Sequence, residues 1–222
     1  MRRFECSAII FDLDGVLVDS AAYVEQEWRR WASARGLRAE PFLRVCHGRR
    51  ALETIRLAAP HLDAEAEVAA FGAADDDGAN SIGPLPGAAR LLEALPPESW
   101  GVATSGPRYA AGARLRRAGF RLPQVMICAE DVTRGKPGPD VYLLASTRLG
   151  IPPTECLVVE DAPAGVQAAR AAGMGVIAVT TTHPFEELPA DAVVPSLAAV
   201  HLGRVDRQAG HGWRLEILVV DA

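Results

Sequence analysis

The tightest constraint on this chain is the stretch Ile9-Ile10-Phe11-Asp12-Leu13-Asp14-Gly15. Ala8, Ile9, Ile10 and Phe11 are apolar without alternation, which predicts a strand covered on both faces. Such a strand belongs in a sheet sandwiched between helices. The run ends in two aspartates one residue apart, then a glycine. Side chains at i and i+2 of an extended chain point the same way, so Asp12 and Asp14 address one small volume past the strand end. Two carboxylates that close suppress each other's ionisation unless a cation sits between them.

The chain's 222 residues, 49% hydrophobic, suffice for a substantial core, as one large domain or one domain with an insertion. A net charge of −5 and a pI near 5.6 indicate no basic surface for nucleic acid, while an anionic small-molecule substrate stays open because local pocket charge is invisible to the sum. Cys6, Cys46, Cys128 and Cys156 form no Cys-x-x-Cys pair, so no disulfide framework or zinc site is expected and a reducing cytoplasm is the default. The N-terminal apolar run is short and broken by Asp12; neither a signal peptide nor a membrane span is expected there.

In order, residues 7–13 read as the first strand and Ala21 to Arg35 as a helix ended at Gly36. Helices follow over Ala51 to Ala59 and over 62–72, and no strand is expected between about Ser20 and Ile82. Asp75-Asp76-Asp77-Gly78 reads as a solvated turn, lacking the longer ligand pattern of a calcium loop. Beyond the linker Ile82 to Pro86, helix and strand signals alternate. Strands are expected at Gly101–Thr104, Gln124–Cys128, Cys156–Val159 and Gly175–Val179, with helices at Gly87–Leu95, Pro107–Ala118, Pro139–Leu149 and Pro163–Ala172. This alternation predicts an α/β fold, a Rossmann-like parallel sheet carrying an inserted helical segment. Ala192–Val194 reads as a further strand and Leu215–Val220 as a late one that an edge position would suit.

Ligands of such sheets sit beyond the carboxyl ends of the strands, where four stretches converge: Asp12 and Asp14, Thr104-Ser105-Gly106, Lys136 in Gly135-Lys136-Pro137, and Glu160-Asp161. Alone, Thr104-Ser105 and Glu160-Asp161 read as helix caps and Lys136 as a solvated lysine. Together they are chemically complementary. The acids suit an oxygen-ligated hard cation such as magnesium. The hydroxyls and turn N–H groups suit an anion, and the lysine suits a phosphate oxygen or a carboxylate. A carboxylate attacking a phosphate monoester meets charge repulsion, which metal and lysine offset.

At these residues the sequence resembles the haloacid dehalogenase-like hydrolase superfamily, in which the four motifs occur in this order. The resemblance implies that Asp12 is a nucleophile forming an aspartyl-phosphate, and that Asp14 is the general acid and base. It implies phosphate binding by Thr104 with Ser105, and Lys136 steadying nucleophile and phosphate. It further implies Mg2+ held by Asp12, Asp161 and the backbone carbonyl of Asp14, with Glu160 in or next to that shell. The implied division is a hydrolase core of residues 1–19 and 86–222 and a helical cap of residues 20–85.

Within the superfamily, Asp14 speaks against dehalogenase chemistry. Val24 stands where related hexose-phosphate mutases carry a histidine. The absence of lysine between Ser20 and Pro86 speaks against phosphonatases. His47-Gly48-Arg49-Arg50 and Trp100 to Gly106 are similar to sugar- and polyol-phosphate phosphatases, of the glycerol-3-phosphate or 2-deoxyglucose-6-phosphate kind. Arg50 is the expected cap contact to substrate, with His47 second. Trp28 and Trp31, three apart on a helix, read as cap core rather than a sugar-stacking platform. The expectation is therefore a cytoplasmic, monomeric, magnesium-dependent phosphatase of a small sugar or polyol phosphate ester, with no nucleic-acid or membrane partner. A sugar phosphomutase using the same aspartyl-phosphate chemistry is the alternative.

Overall fold

The computed structural model describes residues 1–70, 82–208 and 212–220. Its centre is a six-stranded, all-parallel sheet in the order β4-β3-β2-β5-β6-β7. The strands are β2 (Ala8–Phe11), β3 (Trp100–Ala103), β4 (Val125–Ile127), β5 (Cys156–Glu160), β6 (Gly175–Val179) and β7 (Ala192–Val194). Every residue of β2, β3 and β5 is buried. The period of two splits them between two cores. Ile9, Phe11, Val102, Leu157 and Val159 face one, and Ala8, Ile10, Ala103 and Val158 the other. Helices α5 (Ala88–Ala94), α6 (Arg108–Arg117), α7 (Asp140–Leu149) and α8 (Pro163–Ala171) connect the strands.

The winding fixes where a ligand belongs. From β2 the chain moves outward through β3 and β4, then returns to pair β5 with β2 and moves outward again through β6 and β7. The direction reverses between β2 and β5, and a crevice opens beyond their carboxyl ends. Asp12 and Asp161 are the residues just past those ends.

Between β2 and α5 lie α1 (Ala21–Ser33), α2 (Glu40–Leu43), α3 (Ala51–Ala58) and α4 (Ala64–Ala70). They pack around Trp28, Trp31, Phe42 and Ile55 in a cluster of their own. Trp28 stacks on Phe42 at 5.6 Å, and Trp31 meets the same ring edge-on at 5.0 Å, so both tryptophans are interior side chains. The expected helix over 62–72 is α4 within the described residues; Asp75–Gly78 lies outside them. The short α2 has no counterpart among the expected helices.

A second, three-stranded antiparallel sheet has the order β1-β9-β8, from β1 (Arg2–Cys6), β8 (Val200–Gln208) and β9 (Gly212–Val219). It corrects two expectations. The late strand is the central strand of its own sheet, not an edge, and it pairs with an N-terminal strand that has no counterpart among the expected strands. The charged face of β1 hid it. Phe4 and Cys6 point inward, whereas Arg3 reaches diagonally to Glu216 (2.8 Å) and Glu5 to Arg214.

Candidate active site

Asp12 continues the β2 ladder, its N–H donating to Val159 of β5 (2.9 Å), which fixes its carboxylate at the crevice. The chain then turns at Gly15, with φ near +80°. A Cβ there would lie 2.2 Å from Asp161 Oδ2. Only glycine both adopts this turn and lets the first motif close onto the fourth.

Lys136 is the only lysine of the sequence and is fully buried. Its ammonium donates to Asp12 Oδ1 (2.6 Å), Glu160 Oε1 (2.6 Å) and the Ala103 carbonyl (3.2 Å), so each N–H has an acceptor. Glu160 is satisfied as fully. Its Oε1 also accepts from the Tyr142 hydroxyl (2.6 Å), and its Oε2 from the N–H groups of Asp161 and Ala162 at the start of α8. Gly165 on α8 makes room, since a Cβ there would fall 1.7 Å from Glu160 Oε1. Asp161 differs. Its Oδ2 accepts from Thr182 (2.5 Å), but its Oδ1 is buried and finds no hydrogen-bond donor among the described residues.

The electrostatics follow from a count of charges. Asp12, Glu160 and Asp161 bring ligand oxygens within 4.8 Å of one another, and Lys136 is the cation between them. Three carboxylates against one ammonium leave two negative charges uncompensated, the charge of one divalent cation. Burial, with Glu160 adding repulsion, raises the Asp12 carboxyl to about 7 despite Lys136. Burial and the neighbouring Glu160 and Asp12 push Asp161 well up. Burial works against Glu160 too, but the Lys136 charge and its hydrogen bonds outweigh it and hold that carboxylate low. Protons thus gather on Asp12 and Asp161, the two acids a cation would serve. The orphaned Asp161 Oδ1 and the uncompensated charge fit a hard, oxygen-ligated divalent ion. Glu160, with both oxygens engaged, is placed as an anchor for Lys136.

Asp14 has a different environment, partly exposed at the rim. It accepts from Ser20 (2.5 Å) and, through both oxygens, from Arg114 Nη1 (2.9 and 2.8 Å). Arg114, on α6, also lies 3.6 Å from Glu27 and over the Tyr23 ring, both on α1. Thr104 is buried past β3, and its hydroxyl accepts from the Gly106 N–H (3.0 Å). The Ser105 hydroxyl donates to the Gly48 carbonyl of the helical segment (2.9 Å).

The two expected substrate contacts of that segment are placed differently. The His47 ring is largely buried, 3.8 Å from Glu25 and edge-on to His183 at 6.1 Å. Burial lowers both imidazoles, so they are neutral at neutral pH. Every nitrogen of the Arg50 guanidinium is engaged by protein. Glu53 takes Nε and Nη2, the Ala129 and Val132 carbonyls take Nη1 (3.2 and 2.8 Å), and the Thr133 carbonyl takes Nη2 (2.9 Å). Tyr142, Thr182 and Arg114 were not among the expected site residues. Arg114 is one of four arginines on α6, and nothing in their order marks the one that turns inward.

A sheet wound this way, with a cation-seeking acidic centre where the winding reverses, defines an α/β enzyme of the doubly wound class. The chain belongs to the haloacid dehalogenase-like hydrolases, whose family description matches residues 6–173. It is similar to hexitol phosphatase A of Escherichia coli (strain K12), 44% identical over 179 residues, which are 78% of this chain and 83% of that protein. It is also similar to glycerol-1-phosphate phosphohydrolase 2 of Saccharomyces cerevisiae (strain ATCC 204508 / S288c), 35% identical over 213 residues, 89% of this chain and 85% of that one. Among solved structures, a hydrolase from Pseudomonas syringae superposes with a TM-score of 0.79 at 28% identity, covering 86% of this chain and 94% of the other.

Proposed function

We propose that the protein hydrolyses a small sugar or polyol phosphate monoester with magnesium, through an aspartyl-phosphate on Asp12. The observation that carries this reading is the unequal setting of the two aspartates of one motif. Asp12 is sealed against Lys136 and Asp161, whereas Asp14 stands at the rim between Ser20 and Arg114. Two carboxylates in contrasting environments take contrasting roles. The named substrates of the relatives support the choice of ester.

Asp12, with Oδ1 held by Lys136, attacks phosphorus through its other oxygen. The ester P–O bond breaks, and Asp14 passes its proton to the departing alkoxide. Asp14, now a carboxylate, takes a proton from water, which attacks the aspartyl-phosphate. Free phosphate leaves and Asp12 is restored. Thr104 and the N–H groups of its turn receive the phosphate oxygens. Asp12, Asp161 and the Asp14 carbonyl would hold the magnesium ion, which supplies positive charge against the phosphate dianion. Residues 20–85 act as a cap that excludes water, and the ester's alcohol lies between it and Asp14.

A phosphate-release screen over sugar, polyol and nucleotide phosphates, with and without magnesium, tests the proposal. Asp12→Asn should abolish turnover and Asp14→Asn should lower kcat by at least about a hundredfold. Absence of phosphate release from every ester with magnesium would sink the reading. Isomer formation with little free phosphate would replace it with the mutase.

A further inference from the structure

We infer that Arg50 and Glu53 form a clasp by which the cap grips the loop ending at Lys136, making both of them positioning residues for that lysine. The inference rests on the phosphatase reading above.

The contacts converge on one short segment. From the start of α3, Arg50 reaches the carbonyls of Ala129, Val132 and Thr133, while Glu53 pairs with Arg50 and accepts from the Gly135 N–H (3.3 Å). All four of these backbone partners lie within residues 129–135, and the next residue is Lys136. A planar guanidinium suits this task, since its fork can hold several fixed acceptors at once. Carbonyl acceptors are present whatever side chains the loop carries.

Gly135 gives an independent observation. Its backbone is not in the left-handed region, so the fold does not require glycine there on conformational grounds. A Cβ would nevertheless stand 2.6 Å from Arg50 Nε and 2.9 Å from Glu53 Oε2. The bare backbone at 135 is the seat of the ion pair. The same cap segment touches the phosphate turn, where Ser105 donates to Gly48. Cap seating is therefore registered at two core loops, those of Thr104 and Lys136.

The link to chemistry is short. Lys136 Nζ lies 2.6 Å from Asp12 Oδ1, and displacing the loop moves the ammonium relative to the attacking carboxylate. Misplacement of about 1 Å can cost a hundredfold in rate.

The variants Arg50→Ala, Glu53→Gln, Gly135→Ala and the double Arg50→Ala/Glu53→Ala test the clasp. Arg50→Ala should lower kcat by roughly ten- to a hundredfold while KM changes by less than about threefold, the signature of lost transition-state geometry. The factor should be the same for every ester cleaved, because the clasp does not touch the alcohol. The double variant should lose no more than Arg50→Ala alone, since both members serve one unit. Gly135→Ala, which keeps both side chains and wedges them off their seat, should reproduce the loss even where another variant folds poorly. Amide exchange in residues 129–135 should quicken in Arg50→Ala, a readout that needs no substrate. Losses that fall on KM and vary with the alcohol would overturn the clasp and return Arg50 to substrate. Additive losses, or a Gly135→Ala enzyme with unchanged kinetics and exchange, would overturn it too. A wild-type protein that releases no phosphate defeats the phosphatase reading first, and exchange alone then judges the clasp.

Discussion

Removing divalent ions should give this protein an unusual dependence of stability on pH. Asp12, ordinarily titrating at 3.8, is raised by burial to about 7 in the folded state, and Asp161 moves the same way. Between those values the folded protein holds a proton that the unfolded chain has released. Its stability is therefore complete below about pH 4 and declines as pH rises through 7. The full excursion for Asp12 alone is worth about 4 kcal/mol. Glu160, held low, loses its contribution only under more acid conditions. His47 and His183 are lowered and work in the opposite sense, so the informative quantity is the difference between two curves. A bound ion displaces the protons on its ligands, and its affinity rises with pH. At fixed magnesium, the gap between metal-loaded and chelator-treated protein should widen by about 1.4 kcal/mol per pH unit for each displaced proton. For Asp12 alone, half-titrated at about pH 7, that is about 2 kcal/mol between about pH 5 and pH 7, or roughly 4–8 °C in Tm for a chain of this size. Thermal melts with EDTA or magnesium across that range measure it. A gap that stays constant or narrows with pH would refute the charge count on which the cation site rests.

Two further outcomes follow from the same geometry. Lys136→Met should remove most turnover and cost about 3–5 kcal/mol of stability, because Asp12 and Glu160 lose a buried cation; urea denaturation at neutral pH with magnesium checks the second figure. Arg114→Met should lower kcat and destabilise by about 3 kcal/mol, since Asp14 and Glu27 both lose the cation beside them and keep the hydroxyls of Ser20 and Tyr23; a variant as active as wild type would show that Asp14 keeps its position without the arginine.

Much of this site was legible in the sequence because its determinants are local. An unalternating apolar run implies a strand buried on both faces. Carboxylates just beyond such strands, with a lysine and hydroxyls at neighbouring strand ends, mark one edge of a parallel sheet. Asp12, Asp14, Thr104, Lys136 and Asp161 were assigned to that edge in this way. Trp28 and Trp31 were placed in the interior of the helical segment from helix spacing alone. Strand β1 escaped because its outward face carries Arg3 and Glu5, whose partners lie more than two hundred residues away. For the same reason β9 read as a possible edge, when β1 makes it central.

What needed the tertiary structure was the choice among chemically equal residues. Arg49 and Arg50 are neighbours in sequence, and Arg108, Arg114, Arg116 and Arg117 share one helix. Packing decides that Arg50 meets three carbonyls and Arg114 meets Asp14. Glu160 and Asp161 are adjacent acids at one strand end, yet one is fully hydrogen-bonded and the other keeps a bare oxygen. The sequence by itself determined the sheet, the strand ends and the inventory of charges, because periodicity and spacing act over a few residues. The partner of each charge was decided by the folded chain, because pairing depends on distances of a few ångströms between segments far apart in sequence.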